Sequence, residues 1–348
     1  MTQSPLHTMD AFTKKTFATS RSLTYTFYDS SPKAEHASGQ PALLLLHGYP
    51  DSAQIWSEVA PQLLPLSLRI IIPDLLGYGD TAKPTDPAAY SSKAMTADLA
   101  ELLAAAGIER AIPIGHDWGS FLAQRLYLWH PERVAGLAML NVAYMPPFER
   151  DFDLAALNAA AARATGRPRW SYWQFYASDS AAAVCASHAA SLWCAIHSTR
   201  EDLRADLYCT PGALQRFLEQ DGSSPERSYA VAAGRDLKGE WLARMAAGGF
   251  EGPLCWYKAI VRGITPLAES ELDRERLVVR VPALFVGAMR DQICLADAIR
   301  GPWADGLLPD LQIKQIDGFH RPMLERPEEL AMSITHWLVE KLHVRQRL

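Results

Sequence analysis

The chain has 348 residues, 49% of them hydrophobic and 21% charged, with a formal net charge of −5. That length supports a substantial buried core, and that balance excludes a disordered or membrane-spanning class. The small acidic excess offers no basic face to nucleic acid, so a small neutral ligand is the expected partner.

The first residues, MTQSPLHTMDAFTKK, lack the apolar run of a secretory leader, and a cytoplasmic location is expected. From there to residue 145, short apolar runs alternate with helical patterns. PALLLLHG, LRIIIPD, AIPIGHD and VAGLAMLNV read as strands buried on both faces. Helices are predicted near 53–63, over 91–106 with a stop at Gly107, and directly after Asp117. This alternation predicts an α/β fold with a mostly parallel central sheet flanked by helices.

From 146 to 270 the strand pattern gives way to Trp-, Tyr- and Ala-rich helical segments. VVRVPALFVGA and LQIKQID then restore two buried strands, followed by a helix over about 326–342. The expected organisation is a core of 1–145 and 271–348, with a helical cap over 146–270 covering the carboxyl edge of the sheet, where open parallel sheets bind ligands. Cys185, Cys194, Cys209, Cys255 and Cys294 form no CxxC pair and read as free thiols, with no metal site. The tail Gln346-Arg347-Leu348 partly resembles a peroxisomal address, with glutamine replacing the small residue.

The chemistry begins at GHDWGS, Gly115 to Ser120. A strand, a tight turn and a helix start surround Asp117, and Gly115 and Gly119 permit the strained elbow that presents a nucleophile. The competing reading is an acidic helix N-cap. Chain order favours the nucleophile: His47-Gly48-Tyr49-Pro50 follows a buried strand, Asp291 follows the strand PALFVGA, and His320 follows LQIKQID. Nucleophile, acid, histidine is the order this architecture uses, and the Tyr49 and Trp118 N–H groups then form an oxyanion hole. Asn141 cannot supply the acid.

With these motifs the sequence resembles the soluble epoxide hydrolases of the α/β-hydrolase superfamily, over about residues 22–340. RWSYWQFYAS around Tyr172 and GFEGPLCWYKAIVRG around Tyr257 are similar to the two cap segments whose tyrosines grip the epoxide oxygen in that family. A shift of register would pass the role of Tyr172 to Trp173 or Tyr176. The resemblance implies that Asp117 forms an alkyl ester, that water activated by His320 and Asp291 cleaves it, and that no metal or organic cofactor takes part. His47, Pro50, Trp173, Trp256 and Phe319 are the expected substrate-binding side chains. The expected partners are a small apolar epoxide and water, with no nucleic acid and no membrane span, and no feature specifies an oligomeric state.

Three alternatives keep the same scaffold: a haloalkane dehalogenase, a non-catalytic ligand-binding protein, and a cyclase that closes an internal hydroxyl onto the epoxide. The chain departs from the family pattern at Phe319 and Arg321 beside the histidine, at Leu76 in DLLGYGDTAKP, and at Cys255 before the Trp-Tyr pair.

Overall fold

The computed structural model describes residues 9–30, 39–229 and 234–345. The tail motif at 346–348 lies outside the described residues. Eight strands form one sheet, β1 (Thr13–Ala18), β2 (Thr24–Asp29), β3 (Ala42–Leu46), β4 (Ile70–Pro73), β5 (Ala111–His116), β6 (Leu137–Leu140), β7 (Ala283–Ala288) and β8 (Leu311–Ile316). Their order is β1-β2-β4-β3-β5-β6-β7-β8. The β1/β2 and β2/β4 pairs are antiparallel, and the remaining pairs are parallel.

The parallel strands β3, β4, β6 and β7 carry no polar side chain because both of their faces are covered, whereas the edge strand β8, LQIKQI, is only partly buried and admits Gln312, Lys314 and Gln315. In β3, Leu44 and Leu46 enter one core while Leu43 and Leu45 enter the other, as the two-residue period of a strand requires. The first core extends into the helical insertion through Trp118, Trp173 and Tyr257. The second is closed by the C-terminal helix Pro327–Leu342, through Ile334, Trp337 and Leu338.

Helix Ser92–Ala105 starts where the Ser91 hydroxyl accepts the Ala94 N–H and stops before Gly107, whose φ of 71° continues the chain in the left-handed region. The helix expected over 53–63 is instead a 3-10 turn, Ala53–Trp56, and a single α-helical turn, Ala60–Leu63. Pro61 lacks the N–H that a continuous helix needs there. The strands β1 and β2 are additions to the sequence reading. β1 is an edge strand with a mostly exposed pattern, so it carries little hydrophobic signal.

Between β6 and β7 the described residues form nine α-helices and no strand. A buried ion pair joins this insertion to the sheet layer. Arg125, on helix Trp118–Trp129, donates to Glu269 at 2.8 and 3.0 Å, and both side chains are fully buried. Arg125 also donates to the Met145 carbonyl at 2.5 Å, and Glu269 accepts the Phe148 N–H at 2.9 Å. The chain leaving the core is thereby fixed on the helix that carries the elbow. Among the described residues, no helix is long and apolar enough to cross a membrane.

Candidate active site

Asp117 sits between β5 and helix Trp118–Trp129 at φ 54° and ψ −123°. An aspartate tolerates positive φ better than most residues, but the position is strained and needs enforcement. Close packing supplies it. A Cβ on Gly115 would lie 2.0 Å from the Gly119 carbonyl oxygen, and one on Gly119 would lie 2.2 Å from that of Leu46. The side chain does not act as the N-cap of its helix. Its Oδ1 accepts the Tyr49 N–H at 2.8 Å, and burial, which opposes its charge, is outweighed by His320 and by the Trp118 N–H. The carboxyl is held below the usual carboxylate range and stays ionised.

His320 connects two carboxylates. Its Nδ1 is 2.6 Å from Asp291 Oδ2, and its Nε2 is 3.5 Å from Asp117 Oδ2. Burial disfavours the imidazolium, but Asp291 and Asp117 together raise its pKa well above the ordinary value. Asp291 is buried against charge as well, yet it is held well below the usual range by His320. Its Oδ1 accepts the N–H groups of Ile293 at 2.9 Å and Cys294 at 3.1 Å, and its Oδ2 accepts Asn141 Nδ2 at 3.0 Å.

Asn141 and His116 are positioning residues that the sequence reading missed. Asn141, at φ 64° just after β6, orients the acid. His116 Nε2 is 2.6 Å from the His320 carbonyl oxygen, and burial lowers its pKa to about 4, so the neutral ring donates there. Only the adjacency of His116 to Asp117 in GHDWGS could have signalled it.

Two cavities meet at Asp117. One, of about 530 Å³, is lined chiefly by apolar side chains, among them Trp118, Phe148, Leu157, Trp173 and Leu295. The other, of about 40 Å³, is lined by Tyr49, Pro50, Tyr172, Tyr257, His320 and Arg321 among others. Asp117, Tyr172, Ile293 and Cys294 line both. The Tyr172 and Tyr257 rings are 5.9 Å apart and nearly perpendicular. Burial, with the charge of Asp117 adding to it, pushes both phenols well above the ordinary value, so each keeps its proton to donate. Tyr176, the alternative to Tyr172, is fully buried behind them and lines neither cavity.

Three of the five expected substrate contacts, His47, Trp256 and Phe319, line neither cavity. His47 lines neither cavity, because its Nε2 accepts the Leu75 N–H at 2.9 Å and its Nδ1 bonds the Gly48 carbonyl at 3.0 Å. Its ring holds the Tyr49 loop in place. Trp256 is turned away, donating from Nε1 to the Leu76 carbonyl at 2.9 Å. Phe319 lies beneath the Arg227 guanidinium, 3.2 Å from its ring centre. Pro50 lines the small cavity and Trp173 the large one. Cys294, which no sequence signal singled out, stands between the cavities, its thiol pushed up to about 11 by burial and by Asp291.

Comparison with known proteins places this geometry among relatives. Residues 41–327 match the family model described as alpha/beta hydrolase fold. The chain is 26% identical over 300 residues to bifunctional epoxide hydrolase 2 of Rattus norvegicus, a match covering 86% of this chain and 51% of that protein. The chain thus spans about half the length of that relative. It is also 26% identical over 313 residues to epoxide hydrolase A of Mycobacterium tuberculosis, covering 86% of this chain and 91% of that one. An epoxide hydrolase from an endophytic Streptomyces superposes with a TM-score of 0.75 over 96% of this chain and 97% of that chain; at 24% identity the likeness concerns the fold.

Proposed function

The chain belongs to the alpha/beta hydrolase fold family, and from that premise we propose that it hydrolyses an epoxide to a vicinal diol through an ester on Asp117. The observation that carries this reading is that Asp117, His320, Tyr172 and Tyr257 line one small cavity. An ionised carboxylate, two protonated phenols and a histidine backed by a buried acid are the groups that two-step epoxide opening needs. In this reading residues 146–270 act as a cap that contributes both tyrosines.

In the first step an Asp117 oxygen attacks a ring carbon, the ring C–O bond breaks, and the alkoxide takes a proton from Tyr172 or Tyr257. In the second, water attacks the acyl carbon of the ester and gives a proton to His320, while the Tyr49 and Trp118 N–H groups hold the oxyanion. Collapse breaks the acyl C–O bond, and His320 protonates the departing diol oxygen. The remaining proton of water restores the phenol as the carboxylate reforms.

The resting state also explains the order of the steps. Two carboxylates hold the proton on His320, so the ring is a poor base until esterification removes the charge of Asp117. Only then does its pKa fall, so that the ring releases this proton to solvent and can act as the general base; it takes a proton back from solvent when the charge of Asp117 returns at the end of the cycle.

A second reading draws on Trp173. Its Nε1 is buried beside the large cavity and has no hydrogen-bond partner among the described residues. That N–H is suited to a leaving halide, and Asp117 could then displace halide from a haloalkane. A turnover screen of aryl, alkyl and fatty-acid epoxides with diol detection, run beside chloroalkanes with chloride detection, separates the two. Diol without chloride release is the expected result, and the reverse would overturn the epoxide reading.

A further inference from the structure

The small cavity contains more positive charge than epoxide opening requires. Arg204 and Arg321 both line it, together with the reacting Asp117 and His320. Each is at least nine-tenths buried, with relative exposures of 7% and 2%, and the Nε of each lacks a hydrogen-bond partner among the described residues. Arg321 has an acid partner in Asp51, 3.2 Å away. Arg204 forms no ion pair among the described residues. Its field reaches Asp291, but the oxygens of that carboxylate are already taken by His320, Asn141 and two backbone N–H groups.

A guanidinium removed from water without a matching anion is costly, and the cost is recovered only when an anion arrives. Asp291, Asp117 and Asp51 are held by His320, the Tyr49 N–H and Arg321, so an anion for Arg204 would come from outside the described residues. The space limits its size. A water needs roughly 10–15 Å³ of such volume, so a cavity of about 40 Å³ takes about three heavy atoms, the count of a carboxylate. On the far side of Asp117 the cavity of about 530 Å³ is apolar. A molecule with its reacting carbon at Asp117 therefore meets positive charge on one side and hydrocarbon on the other.

We propose that the small cavity is a carboxylate subsite built on Arg204 and Arg321, and that the substrate is an epoxide bearing a carboxylate beside the ring and a bulky apolar group across it. This rests on the epoxide reading above and adds a charged substrate class to it. It also replaces the small neutral ligand expected from the overall charge. Arg321, a departure from the family pattern, gains a function by it.

The test compares trans-3-phenyloxirane-2-carboxylate with trans-2-methyl-3-phenyloxirane, in which a methyl replaces the carboxylate. Loss of a charged hydrogen-bond partner is worth about 10- to 100-fold, so the wild-type protein should prefer the carboxylate in kcat/KM by about that factor. Arg204→Met should reduce this preference ratio by a similar factor, and Arg204→Lys should restore part of it. Should Arg204→Met fail to fold, wild-type inhibition decides: phenylacetate should compete at least about tenfold more strongly than phenylacetamide. Equal use of both epoxides, with phenylacetate no better than the amide, would overturn the subsite and leave epoxide hydrolysis standing. Tight phenylacetate binding that depends on Arg204, with no diol from either epoxide, would support the subsite and overturn the epoxide reading.

Discussion

His320 Nε2 stands 3.5 Å from Asp117 Oδ2, longer than an ordinary hydrogen bond, while its Nδ1 is 2.6 Å from Asp291. The ring is held tightly by Asp291 and only loosely by Asp117. In the proposed mechanism it acts on the ester at Asp117 and is not required for the attack that forms it. His320→Gln should therefore open the ring once and stop. Intact-mass analysis should find an adduct on the peptide containing Asp117, and an inactive variant without adduct would contradict this division of labour.

In the proposed ring opening the two phenols share one developing charge, so losing either should slow it by on the order of 100-fold or more, and losing both should slow it further. Trp118 and Trp173 lie beside Asp117, with ring centres 5.4 Å apart, so tryptophan fluorescence in stopped flow should report ester formation directly. Tyr172→Phe leaving that phase unchanged would return the role to Trp173 or Tyr176.

The raised pKa of His320 fixes the direction of two pH effects. In the proposed ester the charge of Asp117 is gone, so the His320 pKa should drop and ester hydrolysis rise with pH through the new value, while ring opening should not follow that titration. For stability, a raised histidine contributes fully below its unfolded value near 6.5 and loses that contribution as pH rises through the folded pKa. The depressed Asp117 and Asp291 contribute above about pH 4 and lose it on acidification. Viewed from both sides, the same ion pairs stabilise most between about pH 4 and 6.5. Thermal melts of the wild type should fall from pH 6 to 9 by more than those of His320→Gln.

Glu269→Gln leaves the buried Arg125 charge uncompensated and should cost about 3–5 kcal/mol in urea unfolding. Replacing both residues with methionine should cost much less, since neither charge is then stranded. A small loss in Glu269→Gln with a large loss in the double variant would mean that the backbone contacts of Arg125 at Met145, and not the ion pair, hold the insertion.

Oxygen labelling tests the covalent route. In a single turnover with enzyme in excess and heavy-oxygen water, the diol should be unlabelled and the Asp117 peptide labelled, because the carboxylate oxygen leaves with the product. A labelled diol with an unlabelled peptide would make Asp117 a general base.

The sequence by itself determined what is local. A strand buried on both faces has a continuous apolar run, and an elbow between Gly115 and Gly119 is legible because only glycine fits within about 2 Å of a neighbouring carbonyl. The positions of Asp117, Asp291 and His320 at strand ends could thus be read along the chain. The tertiary structure alone decided what lies between elements. Asn141 meets Asp291 across 150 positions, and Arg204, on helix Glu201–Cys209 with no motif of its own, shares a cavity with Arg321 only through tertiary packing. The same holds for β1, whose exposed face carries little pattern, and for His47, Trp256 and Phe319, whose neighbours in the chain could not show that other partners had already taken them. A periodic pattern records which face is covered, since that depends on residues a few positions apart. What covers it, and which charges are left without partners, depends on groups far apart in the chain that only packing brings together.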